Sequence, residues 1–553
     1  MTSAAEPAPA PAAAAAPAGR VQGGEREVAV RLTVRLTWRG VLIWTLLLAI
    51  VIAGTAAAYR TTFPTQADRV KIGEELGSTP AFNALFGPPV DLDTAGGFTA
   101  WRLGSFMGVL ASLWALLTAT RLCRGEEDEH RTDLLLSTPM RAATLLRTQL
   151  AVLCGGAAVI FVGCTLGGVA GDLGLRGSAV FAAGFAGCVA VFGALGAVVS
   201  QLLDTHRQAA GWTGAILGLS YLLRAVADSD PDRAWLAWTT PLGWSSRLAA
   251  FTGEPDLVPL VCFVVATAAL SVVALELRSR RDTGAATWSR ADRADIRLHP
   301  PRGTLGLVLR TARGGLIGWT LGLAFGGLVL GYLIVDVAQL SADNQQLQDV
   351  SEKVSSAGLS SVTSVTGFMF SFFIVVLAAF AGSSAVAGRG EESRGRIDHL
   401  LSRPVSRWRW LGERIVVMVV SVAIGTAAIG VATFLGVSVQ GGGLGWNDTV
   451  RASLNLLPAA WLFGSLALAA LALVPRATSA IAYGAVVAAY LLQLVGGFAD
   501  LPQWLLDVSP FAHVAPVPAQ PAQTTAAWVM IAICVALCAI ALVTFRRRDL
   551  QEA

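Results

Sequence analysis

The sequence predicts an all-α polytopic membrane protein with twelve transmembrane helices, arranged as two parallel six-helix repeats. Three observations predict it. The composition is 54% hydrophobic and only 14% charged, with a mean hydropathy of +0.60. The apolar residues fall in repeated runs close to the ~20 that a helix needs to cross a bilayer. One acidic, proline-ended segment occurs twice, as "GEEDEHRTDLLLSTP" from Gly125 and "GEESRGRIDHLLSRP" from Gly390, each time between two apolar runs. A soluble chain of 553 residues would divide into several domains with charged surfaces. Helices are the default for the runs because lipid cannot satisfy open backbone groups.

Residues 1–24 are rich in Ala and Pro and carry no signal-peptide pattern, so they read as a disordered tail. The stretch "EREVAVRLTVRLTWRG" follows. On a helical wheel Val30, Val34 and Trp38 share one side and Arg31, Arg35 and Arg39 another, which suits a helix lying in the inner interface. It opens a first repeat over residues 25–277, with spans near Val41–Ala58, Leu103–Thr120, Thr148–Val169, Ser178–Gln201, Ala209–Val226 and Leu257–Leu275. Residues 278–313 read as a basic cytoplasmic linker. The second repeat, 314–553, has spans near Leu316–Val335, Gly367–Ala387, Ile415–Val437, Ser453–Val474, Ser479–Gly496 and Thr525–Phe545.

Orientation follows from the arginines, because Lys and Arg are retained on the cytoplasmic side. Dense patches lie at Arg278–Arg313, Arg389–Arg414 and Arg546–Arg548. An even number of spans puts all of them, with both termini, on the cytoplasmic face of the cell membrane. The duplication extends beyond the opening motif. "WTL" at Trp44 returns at Trp319, "SYLL" at Ser220 is echoed by "AYLL" at Ala489, and "RRD" at Arg280 returns at Arg547. Trp235 and Pro241 likewise match Trp504 and Pro510. Two copies with an even span count face the same way, as parallel repeats do. Trp235, Trp238, Trp244 and Trp504 sit in broken apolar outer segments and are suited to anchoring at the outer interface.

The twin motif falls on the cytoplasmic side, between the second and third spans of each half. Each copy begins with Gly and two acids (Glu126 and Glu127; Glu391 and Glu392), continues through Asp133 or Asp398, and ends at Pro139 or Pro404. Proline stops the short helix that Leu134, Leu135 and Leu136, or Leu400 and Leu401, would give an apolar side. An acidic end beside a buried leucine side suits docking of another protein. The copies are not electrostatically equivalent, since Asp128 and Glu129 are replaced by Ser393 and Arg394.

The order Gly-Glu-Glu, several polar residues, Asp, and Leu-Leu-Ser-x-Pro resembles the intracellular loop of ABC type 2 exporter permeases. The fused twelve-span form, with only two lysines (Lys71 and Lys353), resembles actinobacterial membrane subunits of polyketide-antibiotic, tetronasin-type exporters. The resemblance implies a type V ABC exporter-like fold and the export of bulky apolar compounds such as antibiotics, other drugs or lipid-like molecules. It also implies two copies of a separate ATPase that carry the ATP and Mg and dock on the residues named above. It places the second and fifth helices of each half around the path. There Phe106, Met107, Trp114, Tyr221, Phe370, Phe373 and Tyr490 would offer an aromatic, Met-containing lining for an apolar cargo.

The chain carries no ATP site of its own, because neither Lys71 nor Lys353 lies in a G-x-x-x-x-G-K-[ST] sequence. It is thus expected to be a transport subunit rather than an enzyme, with no cofactor of its own. A net charge of +4 calls for no nucleic-acid partner. The seven cysteines include no C-x-x-C, and the five histidines lie outside the spans, so no metal site is expected. The alternative is an ion-coupled secondary transporter, which also has two parallel six-helix repeats. Ion coupling usually places an acid inside a span, and the predicted spans contain none in their interiors.

Overall fold

A computed structural model describes residues 18–70, 86–137, 140–228, 231–282, 303–343, 361–402, 405–496 and 502–548. Among these the protein is all-helical, and eleven helices are long and apolar enough to cross a membrane. The chain divides into two compact units, Met1–Arg293 and Ala294–Ala553.

The long helices of the first unit are α1 (Ala18–Thr62), α2 (Ala95–Thr120), α4 (Ala142–Ala170), α5 (Leu175–Leu202), α6 (His206–Asp228) and α8 (Val258–Ser279). Two short helices join them, α3 (Arg131–Leu136) and α7 (Pro241–Arg247). The second unit holds α9 (Gly303–Asp343), α10 (Val362–Ser393), α11 (Arg396–Leu401), α12 (Arg407–Val439), α13 (Trp446–Leu454), α14 (Leu457–Leu473), α15 (Thr478–Gly496), α16 (Gln503–Leu506) and α17 (Thr524–Arg547). The expected eleventh span coincides with α15, which is not among the eleven qualifying helices.

Two boundaries differ from the sequence expectation. The basic stretch before the first span is no separate helix, because α1 runs unbroken from Ala18. No proline interrupts it, and its buried face there is Ala29, Thr33 and Thr37 rather than the Val30, Val34 and Trp38 side. The helix also reaches back into the expected tail. The last part of the expected linker is helical, since α9 begins at Gly303.

Each unit is organised around one helix. α5 packs against α2, α4 and α8, and α14 packs against α10, α12 and α17. Both central helices are rich in small residues, mixed with leucine in "LPAAWLFGSLALAALAL" of α14 and with valine and phenylalanine in α5, which lets neighbours approach closely. Their few hydroxyls turn back onto their own backbone, as Ser200 does onto Gly196, so no polar group faces lipid unpaired.

The crossing of α1 and α4 rests on a row of small residues. Gly163, Gly167 and Gly171 lie one turn apart and meet Thr45, Ala49 and Ala53. A Cβ on Gly167 would stand 2.6 Å from the Ala49 backbone. In the second unit α9 crosses α12 in the same manner, where a Cβ on Gly331 would stand 2.4 Å from the Thr433 carbonyl. Because the obstacle is backbone, no rotamer change relieves it. Gly167→Leu should therefore destabilise the protein by about 1–3 kcal/mol through overpacking, seen as earlier thermal unfolding in detergent. An unchanged transition would show that the two helices separate freely.

Candidate functional site

The C-terminal end of α2 is not a simple helix terminus. After Thr120 the chain widens into a π-helical segment, Arg121–Gly125, and then takes one helical turn through Glu126–Asp128. A single π-turn shifts the register of the residues after it, and here those residues are the acidic motif. His130 then adopts a left-handed conformation (φ 58°) and starts α3. In the second copy α10 continues as α-helix through Ser393, and Gly395 (φ 64°) makes the corresponding left-handed turn before α11. Both short helices have six residues.

The structure separates the residues that the sequence grouped. Glu127 and Glu392 were expected on the docking surface but are buried, with side chains 2% and 1% exposed. Glu127 accepts hydrogen bonds from Arg124 (3.2 Å), Arg278 (3.1 Å) and Arg281 (2.7 Å). Arg281 also donates to Gln201 at 3.0 Å. Burial pulls the Arg281 guanidinium below its usual pKa, and the bond to Glu127 opposes that. Glu392 pairs with Arg389 (3.5 Å) and with Arg548, which also donates to the Leu471 carbonyl at 3.0 Å. A carboxylate this buried requires such partners, since desolvating it alone would cost several kcal/mol.

Glu126 and Glu391 are also partly withdrawn. Glu126 is tied to Arg131 at 3.2 Å and is 14% exposed, and Glu391 is tied to Arg414. The described residues of the first copy that face outward are Asp128, Glu129, His130, Arg131, Asp133, Leu134 and Ser137. His130 and Asp133 meet at 3.0 Å on this surface. The leucines divide: Leu134 is 75% exposed, whereas Leu135 packs beside Ala29, Met140 and Leu145 and Leu400 packs on the core of the second unit, next to the buried Thr132 and Ile397. One turn of helix cannot turn three consecutive leucines to the same side, since neighbours lie 100° apart. Asp398 lies on α11, while Pro139 and Pro404 fall outside the described residues.

The second copy carries a further layer that the sequence did not reveal. Arg414 lies over Trp410 (4.3 Å), Trp410 stacks on Phe545 (5.2 Å, 14°), and Arg548 lies over Phe545 (5.3 Å). The two cations of this stack are the partners of Glu391 and Glu392. Position by position along the repeats, Arg278 stands where the second copy has Phe545, and Leu145 where it has Trp410.

Within the second unit Phe370, Phe373 and Tyr490 belong to one apolar cluster, and within the first Met107 and Trp114 pack on another. Phe370 and Phe373 are buried core residues (2% and 5% exposed) in edge contact at 5.9 Å. Phe106 is exposed, and Met107, Trp114, Tyr221 and Tyr490 are half-buried. A cavity of about 70 Å³ in the first unit is lined by other residues, among them Trp101, Ser105, Phe181 and Phe251. Near it, Arg224 is fully buried, donates to Ser105, pairs with Asp228 at 3.3 Å and lies over Tyr221. Its partners come from α2 and from the last turn of its own helix, so no local pattern in the sequence marks it.

Comparison with known proteins bears on this geometry. Residues 302–546 match the family model described as the C-terminal domain of multidrug efflux system permease Rv1217c. The chain is 31% identical over 528 residues to the multidrug efflux system permease protein Rv1217c of Mycobacterium tuberculosis (strain ATCC 25618 / H37Rv), a match that covers 94% of each chain. At that identity and coverage the chain belongs to the family of the multidrug efflux system permease Rv1217c.

Proposed function

We propose that this chain is the membrane-spanning permease of an ATP-driven ABC exporter, moving bulky apolar drugs, antibiotics or lipid-like compounds out of the cell. Two copies of a separate ATPase subunit dock on the two motifs and supply ATP and Mg chemistry that this chain lacks. The fold is twelve spans in two parallel repeats, α15 being the eleventh, with both termini in the cytoplasm and the protein in the cell membrane. The tetronasin-type exporters offer a functional analogy.

The observation that carries this reading is the recurrence of one local structure. After the second long helix of each unit the chain makes an acidic turn, a left-handed residue and a six-residue helix. In the first copy that helix presents exposed polar groups and one exposed leucine. A mixed polar and apolar protrusion of this kind fits a partner protein better than lipid or water. The name of the Mycobacterium tuberculosis relative supports the drug-export role.

The test is purification of the full chain from native membranes. An ATP-binding subunit should accompany it at two copies per chain, with vanadate-sensitive hydrolysis in the complex. The chain stripped of that subunit should hydrolyse no ATP, because it has no phosphate-binding loop. Dye efflux that persists without any ATPase and stops with an ionophore would instead establish the ion-coupled alternative.

A further inference from the structure

The two buried glutamates connect parts of the chain that are far apart in sequence. Glu127 follows α2, yet two of its three arginines, Arg278 and Arg281, belong to the end of α8 and the residues just after it. Glu392 ends α10, and its partner Arg548 directly follows α17. Arg281 and Arg548 are the same member of the repeated "RRD". Arg124 and Arg389 likewise stand three residues before their glutamates. In both units, then, the acidic turn is fastened to the inner end of the last long helix through one carboxylate.

The surroundings of the two carboxylates differ, and that difference identifies the shared element. Arg278 and Gln201 complete the first cage, whereas the Trp410–Phe545 stack supports the second. Filling space between helices needs no charge, because well-packed apolar residues in place of a buried ion pair are often neutral or stabilising. A charge-assisted bond provides a discrete geometry in which neither partner slides past the other. Hydrogen-bonded networks of that kind carry displacement between rigid elements.

We propose that Glu127 and Glu392 are positioning residues that lock each docking segment to the inner end of its half's last helix, so that a displacement of the segment moves α8 or α17. This deepens the ATPase-docking reading and rests on it. Under that reading the first acid and the exposed face of α3 receive the ATPase. The second acid never touches it and passes the movement into the membrane.

The experiment uses the chain in complex with its ATPase, with a spin label on Arg280→Cys. That side chain is 73% exposed and, at the C-cap of α8, pairs with Glu276 one turn back. Its spectrum is compared between the nucleotide-free and the ADP–vanadate-trapped complex. The unmodified complex should show a nucleotide-dependent change. Glu127→Gln should reduce that change, and the hydrolysis-driven transport of a lipophilic dye, by roughly 5–150-fold, the usual range of a coupling interaction. The bound ATPase and its hydrolysis should stay near the unmodified level. Arg281→Gln, at the other end of the lock, should behave the same, and the charge-conserving Glu127→Asp should recover part of the response.

Loss of bound ATPase in Glu127→Gln would overturn the proposal by making Glu127 a docking residue. An undiminished spectral response in Glu127→Gln or Arg281→Gln would overturn it by making the cage purely structural. If Glu127→Gln fails to accumulate, the Asp and Arg281→Lys variants decide: full coupling in both, at reduced thermal stability, again leaves only a structural role. If the unmodified chain binds no ATPase, the docking reading itself fails and this proposal falls with it; that outcome appears before any lock residue is changed.

Discussion

Trp410→Ala should destabilise the protein by about 3–5 kcal/mol, at the upper end for a single substitution. Trp410 is 1% exposed and is among the largest fully buried side chains of the molecule. Its ring lies flat against Phe545 of α17 and under the Arg414 guanidinium. Removing it opens a cavity inside the core of the second unit, where Trp410 packs among buried side chains. It also takes the aromatic plate from between two arginines that neutralise Glu391 and Glu392. Thermal unfolding of the detergent-solubilised chain measures the effect. Trp410→Phe, which keeps a stacking ring, should recover most of the loss. The same truncation at Leu145→Ala should cost less, since no ring is stacked there. A Trp410→Ala transition indistinguishable from that of the unmodified chain would mean that the stack contributes nothing.

Leu134→Asp should leave stability unchanged and remove the ATPase. The side chain is 75% exposed, so the isolated chain loses little on replacing it. At a docked interface an exposed leucine on a protruding helix is covered, and loss of a hot-spot contact costs at least ~2 kcal/mol, about thirtyfold in affinity. The quantity to measure is ATPase recovered per chain at equal membrane level. Glu126→Ala should do less, because that carboxylate is mostly withdrawn and already paired with Arg131. Full ATPase recovery with Leu134→Asp would move the docking surface elsewhere.

The long helices were legible because hydropathy is a local property of the chain. A run of twenty apolar residues has one way to satisfy its backbone in lipid, wherever its neighbours lie. Ten of the twelve predicted spans accordingly fall inside observed helices; the sixth starts one residue before α8, and the tenth runs from α13 across a break to one residue past α14. Helix ends were less legible. Nothing between Arg26 and Val41 marks where an interface helix would stop and a span begin, and α1 does not stop there. The tenth span breaks at Asn455 and Leu456, next to Pro458, where the sequence suggested a single run.

For the site, the sequence by itself determined that one acidic segment occurs twice, at matching places, and that "RRD" closes both halves. It also established that no phosphate-binding loop is present. Only the tertiary structure decided that these two repetitions are one feature, because Glu127 meets Arg281 and Glu392 meets Arg548 across more than half of each unit. It also decided which of two adjacent glutamates is buried. Identical neighbours in sequence point 100° apart on a helix. Which direction leads to arginine and which to solvent is set by where the last helix ends, and no local pattern records that.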